Sequence, residues 1–155
     1  MNSTDILISI RKIIRSVDLE SKRIDKEFGV SIPQLLCLGF LQKQADCKAT
    51  PKQVKHFLQL NASTVTGILQ RLQTKGLIYK MDNPKDKRAP FVVLSVAGER
   101  LLNKSPELAH EKLQRKLSNM SNDQLSRLKL ALETLSDLME IRDESLHVEG
   151  DNINF

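Results

Sequence analysis

Two helix start signals stand close together in the middle of the chain, and they constrain its fold more than any other feature. Thr50 and Gln53 form a capping box, with proline between them at the first helical position. Asn61 predicts the cap of a second helix, from residue 62 to about residue 75. The apolar residues of that helix recur on one face: Val65, Ile68, Leu69 and Leu72. Two short helices joined by a few residues predict a helix-turn-helix.

The pattern changes to that of strands after Gly76. Residues 77–81 and 91–94 are rich in β-prone residues, and residues 82–90 between them are polar and rich in turn formers. They predict a β-hairpin with a long charged tip directly after the second helix, which is the position of a wing. The expected fold class is therefore mainly α with a small β-hairpin wing, a winged helix-turn-helix.

Further helices are predicted on both sides of this region. Residues 4–28 carry an apolar stripe, Ser31 and Gln34 form a capping box for the next helix, and residues 42–49 are interpreted as its end and a loop.

On the other side, Ser95 caps a helix that is expected to bend near residues 105–106 and to continue to about residue 117. Ser121 and Gln124 form the capping box of the last helix, whose apolar stripe runs to Ile141 and is wide for a helix that faces solvent alone.

Positive charge is concentrated in the same third of the chain. Ten Lys or Arg and three Asp or Glu lie between Lys48 and Arg100, which is +7, whereas the other 14 and 16 give −2. A local excess of this kind suits a polyanion, because neutralised phosphates release condensed counterions. A solvated basic face would show the same count.

The composition narrows the function classes. A chain of 155 residues with 40% hydrophobic content is about the size of one domain. No catalytic motif, phosphate loop or metal-ligand spacing is present, so we expect neither an enzyme nor a cofactor or metal. Cys37 and Cys47 are interpreted as reduced thiols, Cys37 with a raised pKa in an apolar helix. The sequence has no apolar run long enough for a membrane span and no leader pattern at its start, which predicts a cytoplasmic protein.

The second helix of a helix-turn-helix enters the major groove of DNA, so its outward residues are the candidate DNA contacts. These are Ser63, Thr64, Thr66, Gln70, Arg71 and Lys75. The hydroxyls are expected at base edges or phosphates, and the two cations at phosphates unless they are simply solvated. Gly67 on this helix has two explanations, a close approach of DNA or close packing on a neighbouring helix.

The tip of the wing supplies three more cations, Lys85, Lys87 and Arg88. An Arg on a thin hairpin suits a narrow minor groove. Asp86 is unfavourable near DNA unless it pairs with Arg88 or a neighbouring base. The alternative is a solvent-exposed loop of mixed charge.

These segments in this order resemble the MarR family of transcriptional regulators. Residues 60–66 resemble the entry of the family's recognition helix, residues 71–78 its exit, residues 86–89 its wing motif and residues 94–98 the strand and cap that follow. The resemblance implies that Arg88 enters the minor groove, that Asp86 orients it, and that Ser63, Thr64 and Thr66 face the major groove.

The same resemblance implies an obligate homodimer on a palindromic operator, and most often repression. Within a single domain of residues 1–155, it assigns residues 31–98 to DNA binding and residues 4–28 and 99–142 to dimerisation, and residues 143–155 are expected to form a flexible tail. Residues 10–19 and 33–36 are similar to a branch of the family associated with compatible solutes and osmotic stress. A small-molecule effector is possible in this family, but the sequence identifies none, and the peroxide-sensing Cys of some members is missing from the first helix.

A different class of function is compatible with the same fold. A winged helix can serve as a protein interaction module without selective DNA binding. Selection of random duplexes on the purified protein separates the two readings, because an interaction module enriches no sequence.

Arg88→Ala is expected to weaken operator binding more than any other single change in the wing, because a guanidinium in the minor groove meets the enhanced negative potential there. Titration of each wing variant against one labelled operator measures the effect. Unchanged affinity in Arg88→Ala would contradict the assignment of the hairpin as a DNA-binding wing.

Overall fold

The computed structural model describes residues 2–141, which form two compact units, residues 2–105 and residues 106–141. The predicted tail of residues 143–155 lies outside the described residues, as does Arg142. Within the described range, seven α-helices and a three-stranded antiparallel sheet confirm the predicted fold class.

The first unit contains five α-helices and three strands. The helices are α1 (Ser3–Phe28), α2 (Ile32–Gln42), α3 (Pro51–Leu58), α4 (Ala62–Thr74) and α5 (Val96–Lys104). The strands are β1 (Lys48–Ala49), β2 (Ile78–Met81) and β3 (Phe91–Leu94), in the order β1-β3-β2. The second unit contains α6 (Ala109–Leu117) and α7 (Asn122–Leu138).

The predicted helix caps are present as reciprocal hydrogen bonds. The Ser31 hydroxyl accepts from the Gln34 backbone N–H at 3.2 Å, and the Gln34 side chain accepts from the Ser31 N–H at 3.1 Å. Thr50 and Gln53 form the same pair at 3.2 and 2.8 Å, and Ser121 and Gln124 form it at the start of α7. Local sequence therefore fixes where these helices begin, because each side chain satisfies a backbone donor that the helix itself leaves unpaired.

Strand β1 is the main difference from the sequence-based prediction, which assigned a loop to residues 42–49. Lys48 pairs with Val93 and Ala49 with Val92, and a short 3₁₀ turn at Ala45–Cys47 precedes them. A strand of two residues has no alternation to detect, and its pairing partner lies more than 40 positions along the chain.

The helix predicted from residue 95 to residue 117 is divided in two. α5 ends at Lys104 and α6 begins at Ala109. Ser105 has extended backbone angles, φ −74° and ψ 143°, because a residue before proline is pushed out of the helical region. The predicted bend is therefore a complete break.

The core of the first unit is aliphatic. Its fully buried aliphatic side chains come from α1, the α1–α2 connection, α2, both helices of the helix-turn-helix and β3: Ile24, Val30, Leu38, Leu41, Val54, Val65, Leu72 and Val92. Phe57 on α3 lies at the edge of this core, is 42% exposed and stacks on Phe40 with ring centroids 4.5 Å apart. Val54 is the buried anchor of α3.

Gly98 brings the start of α5 against the beginning of the wing. The Ser95 hydroxyl accepts from the Gly98 N–H at 3.0 Å and donates to the Gly76 carbonyl at 2.7 Å. A Cβ on Gly98 would overlap the carbonyl oxygen of Leu77 and approach the Leu94 Cδ1 to 2.7 Å. Only glycine fits here, since the nearest obstacle is backbone.

Gly98→Ala is expected to lower the free energy of unfolding by about 1–3 kcal/mol, the usual cost of overpacking a close contact. Urea denaturation followed by circular dichroism measures it. Gly39→Ala in α2 is the matched control, because a Cβ there meets nothing within 4 Å and alanine favours the helix. Equal stability of the Gly98→Ala variant and the parent protein would contradict this account.

Candidate nucleic-acid interface

The side chain of Asn61 holds the turn between α3 and α4. Its Oδ1 accepts from the Thr64 backbone N–H at 2.9 Å and from the Ser63 hydroxyl at 2.9 Å. The four apolar residues of the predicted inner face are all buried: Val65, Ile68, Leu69 and Leu72. The helix-turn-helix is confirmed, and burial of this face turns the opposite face of α4 outward.

That outward face carries the six residues predicted to contact DNA, and five of the six are exposed. Thr66 is half-buried, while the others face solvent: Ser63, Thr64, Gln70, Arg71 and Lys75.

The three hydroxyl residues differ in what their hydroxyls already bind. Ser63 donates to Asn61, and Thr66 donates to the Ala62 carbonyl at 2.9 Å. The Thr64 hydroxyl has no hydrogen-bond partner among the described residues. Of the three donors, Thr64 is therefore the one that could bond a base edge or a phosphate without giving up a bond within its own helix.

The polar side chains one turn further along α4 also stand free. Neither the Gln70 amide nor the Arg71 guanidinium has a hydrogen bond or ion pair within residues 2–141. A free amide can pair with adenine, and a free guanidinium can pair with guanine or a phosphate. Thr64 and Arg71 are seven positions apart, about two turns, so they lie on the same side of α4, and Gln70 adjoins Arg71. The three side chains form one polar surface on which no hydrogen bond to the described residues competes with a ligand.

Lys75 is held differently from the other predicted contacts. Its ammonium donates to the carbonyl of Gly29, and it lies 3.5 Å from the Oε1 of Gln34. Gly29 ends α1 in the left-handed conformation, and Gln34 belongs to the capping box of α2. Lys75 therefore joins the end of the second helix of the motif to the junction of α1 and α2, a contact that its sequence position did not indicate.

A small cavity lies behind the outward face of α4. It has a volume of about 100 Å³, and its lining includes Pro51, Thr66, Gln70 and Lys80. Ligand pockets for drug-sized molecules have volumes of about 300–1,000 Å³. The cavity is below that range, so its size supports no effector of that kind.

The tip of the wing is built around Asn83, which the sequence analysis did not single out. Its side chain is buried, donates to the Ala89 carbonyl at 3.2 Å and accepts from the Lys85 N–H at 3.1 Å. The backbone N–H of Asp86 adds a bond to the Asn83 carbonyl at 3.2 Å. An Asn ahead of a proline in a turn could have been found from sequence, because Asn side chains bond the backbone two residues on.

Asp86 bonds the backbone of Arg88. Its Oδ1 accepts from the Arg88 backbone N–H at 3.0 Å, and no ion pair joins its carboxylate to the Arg88 guanidinium within the part of the chain that the structure describes. Lys85, Lys87 and Arg88 are all exposed. The three cations therefore stand on a loop whose backbone is fixed by the side chains of Asn83 and Asp86, and their charged ends have no hydrogen bond or ion pair to residues 2–141.

The two thiols are unlike each other. Cys37 is fully buried, and burial raises its pKa to about 12, which confirms the expectation of an unreactive thiol because the thiolate is the nucleophile. Cys47 is half-buried, and both are free. Among the described residues, no three His, Cys, Asp or Glu side chains come together in a way that could hold a metal ion. No helix between residues 2 and 141 combines the length and the apolar character that a membrane span requires.

A helix-turn-helix with an adjoining hairpin defines this chain as a winged helix-turn-helix protein. A solved structure of a MarR family transcriptional regulator from Streptomyces coelicolor, in complex with DNA, has the same fold, with a TM-score of 0.65 over 93% of this chain and 96% of that one at 16% sequence identity. The sequence profile of the MarR family matches residues 28–89.

Two curated relatives extend the similarity over most of the chain. The multiple antibiotic resistance protein MarR of Escherichia coli is 29% identical over 82% of this chain and 90% of its own length. The organic hydroperoxide resistance transcriptional regulator of Bacillus subtilis is 28% identical over 81% of this chain and 82% of its own. Both are named for roles in resistance, neither as an enzyme. Both comparisons therefore show similarity to MarR regulators, and the match to the family profile covers the winged helix-turn-helix region, residues 28–89.

Two substitutions of Asp86 separate the role of its acceptor oxygen from the role of its negative charge. Asp86→Asn keeps an oxygen for the Arg88 N–H and removes a negative charge, so DNA affinity is expected to stay equal or rise at low salt. Asp86→Ala removes the acceptor and is expected to weaken binding about 2–10-fold, the worth of one hydrogen bond. Titration of both variants against the same duplex measures the difference. An equal loss in both would show that the carboxylate charge is what matters.

Proposed function

We propose that this chain is a sequence-specific transcriptional regulator of the MarR family that binds double-stranded DNA, with repression as its main mode. The observation that carries the proposal is the free polar surface of Thr64, Gln70 and Arg71 on a helix whose other face is locked into the core. In this arrangement α4 enters the major groove and specifies sequence, because donors and acceptors on base edges differ for each base pair. The wing cations bind the backbone and the minor groove.

The position of the positive charge supports this division of labour. The excess of +7 lies within residues 48–100, which include α3, α4 and the wing. The S. coelicolor regulator with the same fold was solved in complex with DNA. The polar side chains on α4 favour duplex DNA over an acidic protein partner. Cations alone are enough to bind a polyanion, whereas base edges also require hydrogen-bond donors and acceptors on the helix.

We further propose a homodimer, with residues 4–28 and 99–142 as the dimerisation region and residues 31–98 as the DNA-binding region. On α1, Ile13 is 63% exposed, and on α7 Leu130 and Leu138 are 65% and 78% exposed. The second unit also carries an open apolar groove of about 500 Å³, whose lining includes Leu117, Leu125, Leu128 and Leu132. Monomeric proteins rarely leave such faces in water. A second copy of the chain supplies a matching apolar surface, and a two-fold dimer matches a palindromic operator.

Two finer assignments rest on the sequence resemblance. The first is the branch of the family: the similarity of residues 10–19 and 33–36 supports the compatible-solute and osmotic-stress branch. The second is the location, since a regulator of this kind acts on DNA in the cytoplasm. An effector is left open. The genes beside the coding gene, and release of their repression after osmotic shock, test this branch without affecting the proposal of DNA binding.

Selection of random duplexes on the purified protein is expected to enrich a palindrome with half-sites about 10 bp apart, one turn of DNA. Affinity for that palindrome should fall with salt, with a log–log slope of about 0.9 per neutralised phosphate. Failure to enrich any sequence would replace this proposal with the protein interaction module.

A pair of valine variants tests the role of α4 in the same binding assay. Thr64→Val removes a free hydroxyl and is expected to cost about 1–3 kcal/mol at one operator position. Thr66→Val is the matched control, because that hydroxyl already bonds the Ala62 carbonyl. Equal losses in the two variants would contradict the placement of Thr64 against a base.

A further inference from the structure

Gly67 occupies the middle of α4, where glycine is costly. The helix runs from Ala62 to Thr74 without a break, and glycine is one of the least favourable residues for a helix interior. Its backbone lies outside the left-handed region, since the positive-φ glycines among the described residues are Gly29 and Gly76. The backbone conformation therefore does not require glycine here.

The packing of the protein does not require it either. A Cβ on Gly67 would meet a single group within 4 Å, the Arg71 Nη1 at 3.7 Å, which is ordinary van der Waals contact with the end of a flexible side chain. Gly98 is the contrasting case, where a Cβ would overlap backbone. Of the two explanations offered by the sequence, close packing on a neighbouring helix is excluded for residues 2–141.

The position of Gly67 on the helix indicates what does require it. Residues three and four positions away share a helix face. One turn before Gly67 stand Ser63 and Thr64, and one turn after it stand Gln70 and Arg71, so Gly67 lies at the centre of the candidate DNA contacts. The Arg71 guanidinium reaches back toward Gly67, as side chains on a helix lean toward its N-terminus.

We propose that Gly67 is the point of closest approach between α4 and the operator, where the surface of the DNA takes the place of a side chain. This inference rests on the proposed DNA-binding function and adds a specificity-determining position to it. A bare methylene makes no hydrogen bond, so its contribution is steric. It lets the backbone of α4 come close enough for the short side chain of Thr64 and for Gln70 to reach base edges.

Gly67→Ala is expected to raise stability and lower DNA affinity together. The melting temperature should rise by about 2–4 °C, because alanine favours the helix and nothing in the protein obstructs the methyl group. Affinity for the selected operator should fall about tenfold, as the methyl group holds the flanking contacts away from the bases. The salt slope and the affinity for random duplex should not change, since no charge is lost.

Two controls isolate the cause. Gly39→Ala adds the same methyl group to α2, also with nothing within 4 Å, and should leave operator affinity unchanged. The Gly67→Ala change is also made in an Arg71→Ala background, where the loss should persist if the DNA itself excludes the methyl group. Disappearance of the loss in that background would overturn the proposal by assigning the effect to a displaced Arg71.

The remaining outcomes are also decisive. Full operator affinity in Gly67→Ala, a lower melting temperature, or a change in the oligomeric state measured by light scattering each overturns the inference, because each assigns the glycine to something other than DNA. Failure of the parent protein to enrich any duplex is a different result. It refutes the proposed function itself before the variant is tested.

Discussion

The burial of one face of α4 is the constraint on which the rest of the molecule depends. Val65, Ile68, Leu69 and Leu72 lie in the core, and a helix has a fixed angle of about 100° between successive side chains. Once these four are buried, the directions of Thr64, Gln70 and Arg71 follow without further adjustment. A surface held in this way needs little reorganisation on binding, which lowers the entropy cost of recognition.

The wing obtains its order from a different source. A loop of nine residues, 82–90, buries little apolar surface, and its conformation comes from side chains that bond the backbone. Asn83 closes the loop at Ala89, and Asp86 fixes the backbone of Arg88. The bond that Asp86 accepts explains why an acid stands among cations, since the acceptor oxygen of Asp86 is used within the turn. Among the described residues, the charged ends of Lys85, Lys87 and Arg88 have no partner, as the proposed binding to DNA requires.

Helices α1, α6 and α7 have the opposite character, because they bury almost none of their residues. Ile24 is the one buried residue within α1, and α6 and α7 have none. On α1 and α7, which both begin with a capping box, most of the large apolar residues are exposed. The local sequence sets where such helices begin and end, whereas burial of their apolar faces requires another surface. In the proposed homodimer a second copy of the chain supplies that surface, and the two-fold axis would place two recognition helices on one duplex.

The sequence by itself determined the capped starts of α2, α3, α4, α5 and α7, the buried face of α4 and the position of the wing. Each is local, since a cap needs residues three apart and an amphipathic face needs a repeat of a few residues. The tertiary structure decided the features that join distant positions. These include the pairing of β1 with β3, the bond from Lys75 to the α1–α2 junction and the close contact at Gly98. It also bears on the two explanations of Gly67, because among residues 2–141 it shows no close packing around this glycine, which the sequence pattern could not reveal.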